Sequence, residues 1–212
     1  GKSIRQEFSA SFLCAVPCPQ PPTVDGDLSE WQVAAAFHLD REEFSNGTFV
    51  GRWTPDDLSA SVYLMWDKNN LYVGARVKDQ TFNQNYSGES VWMQDSIQLA
   101  LAPGLDGPTY EFGLALTPTG EQIVQWLPDI KQVTKGTLKV LLESGQQTYE
   151  AAIPWSAMPK IGPVKEGIRL RYSLLVNDDD VLVGRRYLES PGGGIAHDKS
   201  LENFMEIVLL GQ

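Results

Sequence analysis

The 212-residue sequence is poor in the residues that build covalent, metal or proton-transfer sites. It contains only two cysteines and two histidines. Two thiols cannot by themselves form a four-ligand zinc site. No Gly-x-Ser-x-Gly elbow supplies a nucleophile, and phosphate-binding loops and dinucleotide fingerprints are missing. The sequence therefore predicts a protein that is not itself an enzyme.

Positive charge and long apolar runs are also scarce. Lys and Arg total 17 against 27 Asp and Glu, which gives a formal net charge of −10. Nucleic-acid affinity depends largely on Lys and Arg, so this balance argues against a nucleic-acid partner. No apolar run approaches the ~20 residues of a membrane-spanning helix, and membrane insertion is not expected. The apolar run 12–16 is too short for the core of a signal peptide.

The two cysteines, Cys14 and Cys18, lie in the segment Cys-Ala-Val-Pro-Cys. They would form a small disulfide if the protein is exported, because disulfides persist in oxidising compartments. Alternatively, Cys14 lies half-buried on a strand and Cys18 is incidental. The sequence leaves both interpretations open.

Aromatic and turn-forming residues are abundant. Six Trp, seven Tyr and eight Phe accompany 19 Gly and 13 Pro, a mixture typical of short strands joined by turns. Period-2 alternation predicts a hairpin of 60–66 and 71–77. Further strands are predicted at 95–102, 110–116, 122–127, 138–142, 148–153, 168–176 and 204–210. Helix is scarce: one short turn is predicted with Leu28 and Trp31 as its apolar members, and a turn or two at 154–158. This pattern predicts an all-β fold, a two-sheet antiparallel β-sandwich of jelly-roll type.

The prolines divide the chain into two parts. Residues 1–22 end in a cluster of prolines, which cannot feed a central ladder, so an extended N-terminal segment packed on the domain is expected. Residues 23–212 are expected to form a single sandwich. Its longer connections, around 40–58, 78–94 and 178–203, are where functional residues are expected.

Several stretches in order resemble the family 9 carbohydrate-binding modules. They are Val24-Asp-Gly-Asp-Leu-Ser-Glu-Trp31, Tyr63-Leu-Met-Trp-Asp-Lys-Asn-Asn-Leu-Tyr-Val-Gly-Ala-Arg-Val-Lys-Asp79, Trp92-Met-Gln-Asp-Ser-Ile-Gln-Leu99, Tyr149-Glu-Ala-Ala-Ile-Pro-Trp155 and Val176-Asn-Asp178. The resemblance runs from about residue 22 to about residue 210. It implies a sandwich that binds a sugar, typically a chain end, between two Trp faces. It also implies an exported location (secreted, periplasmic or cell surface), association with glycoside hydrolases, and structural calcium in some members.

Carried over residue by residue, the resemblance gives a modified sugar site. Trp92 matches the first stacking Trp, whereas the segment 190–201 lacks the second one and offers Ile195 or His197 in its place. Gln98 stands where a Glu is usual, and Asn177 is kept. Gly113 and Leu175 stand where polar side chains often form the floor. The predicted sugar-binding residues are Trp92, Gln98, Trp126, Asn177, Asp178 and His197.

The other tryptophans divide by pattern. Trp31, Trp66 and Trp155 fit core positions, whereas Trp53, Trp92 and Trp126 lie in or beside loops. An exposed indole face suits a sugar because the ring C–H groups pack against it while neighbouring polar groups bond the hydroxyls. The prediction is therefore equilibrium binding of an oligo- or polysaccharide at a loop edge.

Two acidic segments offer the oxygen ligands that Ca²⁺ prefers. They are Asp25-x-Asp27-x-x-Glu30 and Asp178-Asp-Asp180, and neither has EF-hand spacing. Turn and capping chemistry explains the first segment equally well, and a solvated loop the second. Asp25, Asp27 and Asp180 are the candidate metal ligands.

Two other functions remain open. One is a structural or interaction module of a larger exported glycan-processing protein, with a degenerate sugar site. The other is a haem b-binding sandwich, since related domains in electron-transfer proteins hold haem through axial side chains. The available axial ligands are His38, Met65, Met93 and His197.

Overall fold

The computed structural model describes residues 12–47, 49, 52–180 and 184–211, and β-strands make up most of its regular structure. Residues 1–11 of the expected N-terminal segment lie outside the described residues. The strands in chain order are β1 (Phe12–Pro17), β2 (Phe37–Leu39), β3 (Ser45–Asn46), β4 (Leu58–Trp66), β5 (Asn70–Asp79), β6 (Ser96–Ala102), β7 (Tyr110–Thr117), β8 (Gly120–Leu127), β9 (Lys131–Gln132), β10 (Thr137–Glu143), β11 (Gln146–Pro154), β12 (Arg169–Asp178), β13 (Arg186–Glu189) and β14 (Met205–Leu209).

The helical segments are all short 3₁₀ turns, at Leu28–Trp31, Glu42–Phe44, Gly88–Met93, Trp155–Ala157 and Pro159–Ile161. None of the helices in the described part of the chain has the length and apolar character needed to cross a membrane.

Two antiparallel sheets form the sandwich. The first has the order β10-β11-β5-β4 with β2 beside β4, and the second runs β14-β12-β6-β7-β8-β9. β13 continues on the β14 side of β12, pairs with its second half, and carries β3 at its outer edge. The predicted β-sandwich is confirmed. Each predicted strand is present, whereas the short strands β2, β3, β9 and β13 were not expected from the pattern.

One strand departs from the antiparallel expectation. β1 pairs in parallel with β14 through residues 12–15 and in parallel with β4 through Val16 and Pro17, so it joins the two sheets. Pro17 ends the strand, a position where its missing N–H breaks no continuing ladder. Residues 12–17 of the N-terminal segment therefore form a strand within the sandwich.

Alternating side chains from both sheets fill the core. Val62 and Leu64 of β4 meet inward residues of the second sheet such as Leu99 and Phe112, and all four are 1% exposed or less. The core assignments of Trp31, Trp66 and Trp155 are confirmed by burial of 91% or more. Trp53 is also a core residue, and its Nε1 donates to the Leu58 carbonyl.

Candidate functional site

A surface groove of about 580 Å³ lies against the outer face of the second sheet. Its floor is formed by side chains from β6, β7 and β8, the strands that follow one another in the sheet. The 3₁₀ turn at Gly88–Met93 and the segments around residues 185 and 195–199 form its walls. The groove brings together three of the predicted sugar-binding residues: Trp92, Gln98 and Trp126.

Trp92 stands on the groove wall with 41% of its surface exposed. The preceding residue, Val91, is fully buried and anchors the turn, and its carbonyl accepts hydrogen bonds from Gln84 and Ser96. An anchored neighbour fixes the turn while it leaves the indole outside the core. The loop therefore presents Trp92 as an open aromatic surface at a defined position.

Trp126 lies lower in the groove and is half-buried. Its Nε1 donates to the Glu89 carbonyl at 2.8 Å, which ties β8 to the turn that carries Trp92. The ring passes directly over Gly113 on β7, where an added Cβ would lie 2.3 Å from the ring atom Cη2. Gly113 is thus required by the close approach of the indole, and Trp126 covers the position where a polar floor residue was expected.

A polar network lies beneath Trp92. The Asn177 amide donates to Gln98 Oε1 at 3.1 Å, and the Gln98 amide donates to Glu111 Oε1 at 3.3 Å. Arg185 Nε donates to Asn177 Oδ1 at 2.7 Å. Asn177 itself is 2% exposed and does not line the groove. It therefore supports Gln98 and Arg185 from below.

Four charged residues of this groove were not among the predicted site residues: Glu89, Glu111, Arg185 and Lys199. Glu111 is 2% exposed and accepts a 2.5 Å ion pair from Lys199. The Arg185 guanidinium lies 5.1 Å from the centre of the Trp92 ring and 4.6 Å from that of Tyr187. Burial lowers the pKa of the Arg185 guanidinium. The one sequence signal for Arg185 was a pair of adjacent arginines beside an acidic run.

Two predicted residues do not reach the groove. Asp178 follows Asn177 on β12, and successive strand residues point to opposite faces, so Asp178 is directed away from Gln98. His197 is exposed and lines a separate hollow with Glu43, Phe44 and Glu189. Ile195, not His197, occupies the groove wall that lacks a tryptophan.

A cluster of carboxylates lies where β5 and β12 end. One oxygen from each of Asp79, Asp178 and Asp180 falls within 4.8 Å of the others. Arg186 donates to Asp178 Oδ2 at 2.6 Å and to Asp180 Oδ2 at 2.5 Å. Within the described part of the chain, the second oxygens of Asp178 and Asp180 are buried and receive no hydrogen bond. Such orphaned carboxylate oxygens fit a hard cation such as Ca²⁺.

Burial and mutual repulsion favour protons on this cluster. Burial, with the nearby Asp79 charge, raises the pKa of Asp95 to about 9. Burial also raises the pKa of Asp178 to about 7, although Arg186 opposes the change. The pKa of Asp79 is raised by burial as well. The carboxylates at this position therefore exceed the positive charge that Arg186 supplies.

The other candidate ligands have structural partners. Asp25 and Asp27 are exposed; Asp25 accepts from the Asp27 N–H, and Asp27 caps the turn at Leu28–Trp31 by accepting from the Ser29 N–H. Among the proposed haem ligands, Met65 packs in the core beside Trp31, whereas His38 is exposed and contacts Ser61. These residues do not form an axial pair.

Both cysteines are free thiols. Cys14 is half-buried on β1, as one of the two interpretations expected. Cys18 is not incidental, because it is 8% exposed and its thiol donates to the Trp66 carbonyl at 3.3 Å.

Comparison with known proteins agrees with this architecture. Residues 24–190 match the family described as "Carbohydrate family 9 binding domain-like". A family 9 carbohydrate binding module from Caldicellulosiruptor kristjanssonii, solved with cellotriose, aligns over 95% of both chains with a TM-score of 0.71 and 19% identity. A structure of a module from the same organism and family with glucose gives a TM-score of 0.69 at 19% identity, over 94% of this chain and 96% of that one.

A longer relative is endo-1,4-beta-xylanase A of Thermotoga maritima. The two sequences are 26% identical over 163 residues, which is 74% of this chain and 14% of the xylanase. The chain thus corresponds to a small part of that enzyme.

Proposed function

The chain belongs to the Carbohydrate family 9 binding domain-like family, whose members are non-catalytic binding domains, and we propose that its groove binds an oligo- or polysaccharide. The observation that carries this proposal is the open indole of Trp92 above a polar floor. The cellotriose and glucose complexes of the two solved relatives support it.

In the proposed mode, one face of a sugar ring packs on Trp92, and hydroxyl groups bond to Gln98 and Glu111 on the floor. Trp126 extends the apolar surface toward Ile195, where a second stacking tryptophan is missing. The site has one open indole in place of two facing ones. Binding should therefore be weaker than in a two-tryptophan site, because less ring surface is covered.

The test is to replace Trp92 and measure both binding and stability. In Trp92→Ala, we expect calorimetric binding of cello- and xylo-oligosaccharides to fall at least ~10-fold, which corresponds to one open aromatic contact. The melting temperature should stay nearly unchanged, because the indole is not packed in the core. Tyr86→Ala is the matched control, since Tyr86 is 39% exposed on the same loop and does not line the groove. Unchanged binding by Trp92→Ala would contradict the proposal.

We also propose that Asp79, Asp178 and Asp180 hold a structural Ca²⁺. The support is the two buried carboxylate oxygens without a hydrogen bond, beside a carboxylate excess that one arginine does not neutralise. A bound divalent cation would supply the missing positive charge and join the ends of β5 and β12. Asp25 and Asp27 are less suited, because their oxygens already serve the turn and the cap.

The setting we propose is extracytoplasmic, with the domain attached to a glycan-processing catalytic domain. The support is the match to a small part of a xylanase. Sugar binding would then hold the catalytic domain close to its polymer by raising its effective concentration there.

A further inference from the structure

We infer that the groove selects an acidic sugar, a uronic acid unit whose carboxylate pairs with Arg185. This inference rests on the proposed sugar-binding function and names the substrate class of the same site. It follows from the contacts that hold the Arg185 guanidinium, and from the fact that no carboxylate among the described residues forms an ion pair with it.

Arg185 is held rigidly. Its guanidinium lies between the rings of Trp92 and Tyr187, at 5.1 and 4.6 Å from their centres. Nε donates to Asn177 Oδ1 at 2.7 Å, while the contact from the Nη2 group to Gln98 Oε1 is long, at 3.5 Å. The two Nη groups therefore keep hydrogen-bonding capacity at the edge of the plane. A planar guanidinium whose Nη groups can still donate is suited to hydrogen-bond both oxygens of a carboxylate.

The protein has an excess of ten acidic residues, but the ion pairs near Arg185 are made by its neighbours. Lys199, the other cation of the groove, is paired with Glu111, and the neighbouring Arg186 is paired with Asp57, Asp178 and Asp180. Within the described residues, no carboxylate forms an ion pair with Arg185. Burial lowers the pKa of this guanidinium, and the charges of Tyr187 and Glu189 oppose that effect only in part.

A ligand carboxylate would therefore gain more here than at an exposed arginine. The desolvation cost of the guanidinium is already met in the free protein, so a carboxylate adds attraction without that further loss. A neutral sugar hydroxyl can accept a hydrogen bond from Arg185 but supplies no charge. The arrangement discriminates between two sugars that differ only in oxidation at C6.

The experiment uses matched pairs of ligands measured by calorimetry at low salt. Cellobiouronic acid is compared with cellobiose, digalacturonic acid with a neutral galactose disaccharide, and a glucuronosyl-substituted xylo-oligosaccharide with the unsubstituted one. We expect at least one acid to bind ~10-fold or more tightly than its neutral partner, the range of a charge-assisted hydrogen bond. Added salt should weaken binding of that acid and leave the neutral sugar unchanged.

Substitutions of Arg185 test whether this residue causes the preference for acidic sugars. Arg185→Gln should weaken binding of the acid more than binding of its neutral partner and bring the acid-to-neutral ratio to near one, while an unchanged melting temperature reports that the fold is intact. Arg185→Lys keeps the positive charge but loses the planar pair of guanidinium donors, so it should retain part of the acid-to-neutral affinity ratio. Arg52→Gln is the control, because Arg52 is exposed and does not line the groove.

The outcomes separate the two proposals. Neutral sugars that bind as tightly as the acids, or a ratio that persists in Arg185→Gln, would overturn the uronic acid inference and leave sugar binding standing. If neither acids nor neutral sugars bind, sugar binding itself is refuted, and the substrate class with it.

Discussion

Arg185 and Arg186 are adjacent in the chain, but their guanidinium groups point to opposite sides and make different contacts. Arg186 forms ion pairs with Asp178 and Asp180 of the carboxylate cluster and with Asp57. Arg185 points to the opposite side, into the groove, where aromatic rings and amides contact it. The same alternation separates Asn177 from Asp178 on β12. Side-chain direction therefore divides residues that face the groove from residues that face the carboxylate cluster.

Cys18 provides a prediction at the residue scale. Burial raises the pKa of its thiol to about 11, with the Asp67 charge adding to the effect, so very little thiolate is present at pH 8. We expect iodoacetamide at pH 8 to leave Cys18 unmodified in the native protein and to alkylate it in urea, as read by peptide mass spectrometry. Rapid native labelling at Cys18 would show that the thiol is open to solvent.

At the scale of elements, the carboxylate cluster and Trp92 both lie at or beside the ends of strands. β5 and β12 end at the carboxylate cluster, and the chain between β5 and β6 carries Trp92. A cation bound at the cluster would tie these ends together. It would also stiffen the loop beside the groove, because Asp95, just before β6, bonds the Asn83 N–H of that loop and the Asp179 N–H.

Calcium should therefore stabilise the domain. At saturating Ca²⁺ we expect the melting temperature to rise by about 5 °C or more above that in chelator, the shift that mass action gives for a ligand near 100 times its Kd. Asp180→Asn should reduce this rise, because it removes one charged ligand. Asp27→Asn, a change in an exposed turn, should retain it. An equal response of all three proteins would exclude the cluster as the cation site.

The strands were predictable where alternation was long, as in β4 and β5, because one face of each strand is buried. The short strands β3 and β13 have too few residues to show a period; β13 is defined by pairing with β12, and β3 by pairing with β13. Trp92 could be placed in the site from its loop context. Arg185, Glu111 and Lys199 could not, because their meeting depends on three elements that are distant in sequence. The carboxylate cluster was missed in part for the same reason, since Asp79 joins it from another sheet.

At the scale of the whole molecule, the buried carboxyls make stability depend on pH. In chelator, the folded state keeps protons on Asp178 and Asp95 up to pH values of about 7 and 9, whereas the unfolded chain releases them near pH 4. The folded state binds more protons across that interval, so its stability falls as pH rises. We expect the melting temperature in chelator to decrease from pH 5 to pH 9. A melting temperature that rises over this range would contradict the raised pKa values.

The parallel pairing of β1 with β14 determines how the domain would respond to a mechanical force that pulls on its ends. Phe12 aligns with Glu206 and Ala15 with Leu209, so the two strands run side by side in the same direction. A pull between the two ends of the described chain would slide them past each other, loading all of their hydrogen bonds at once instead of unzipping them singly. A force applied between these ends would therefore act on the two strands in shear, the mechanically stronger geometry.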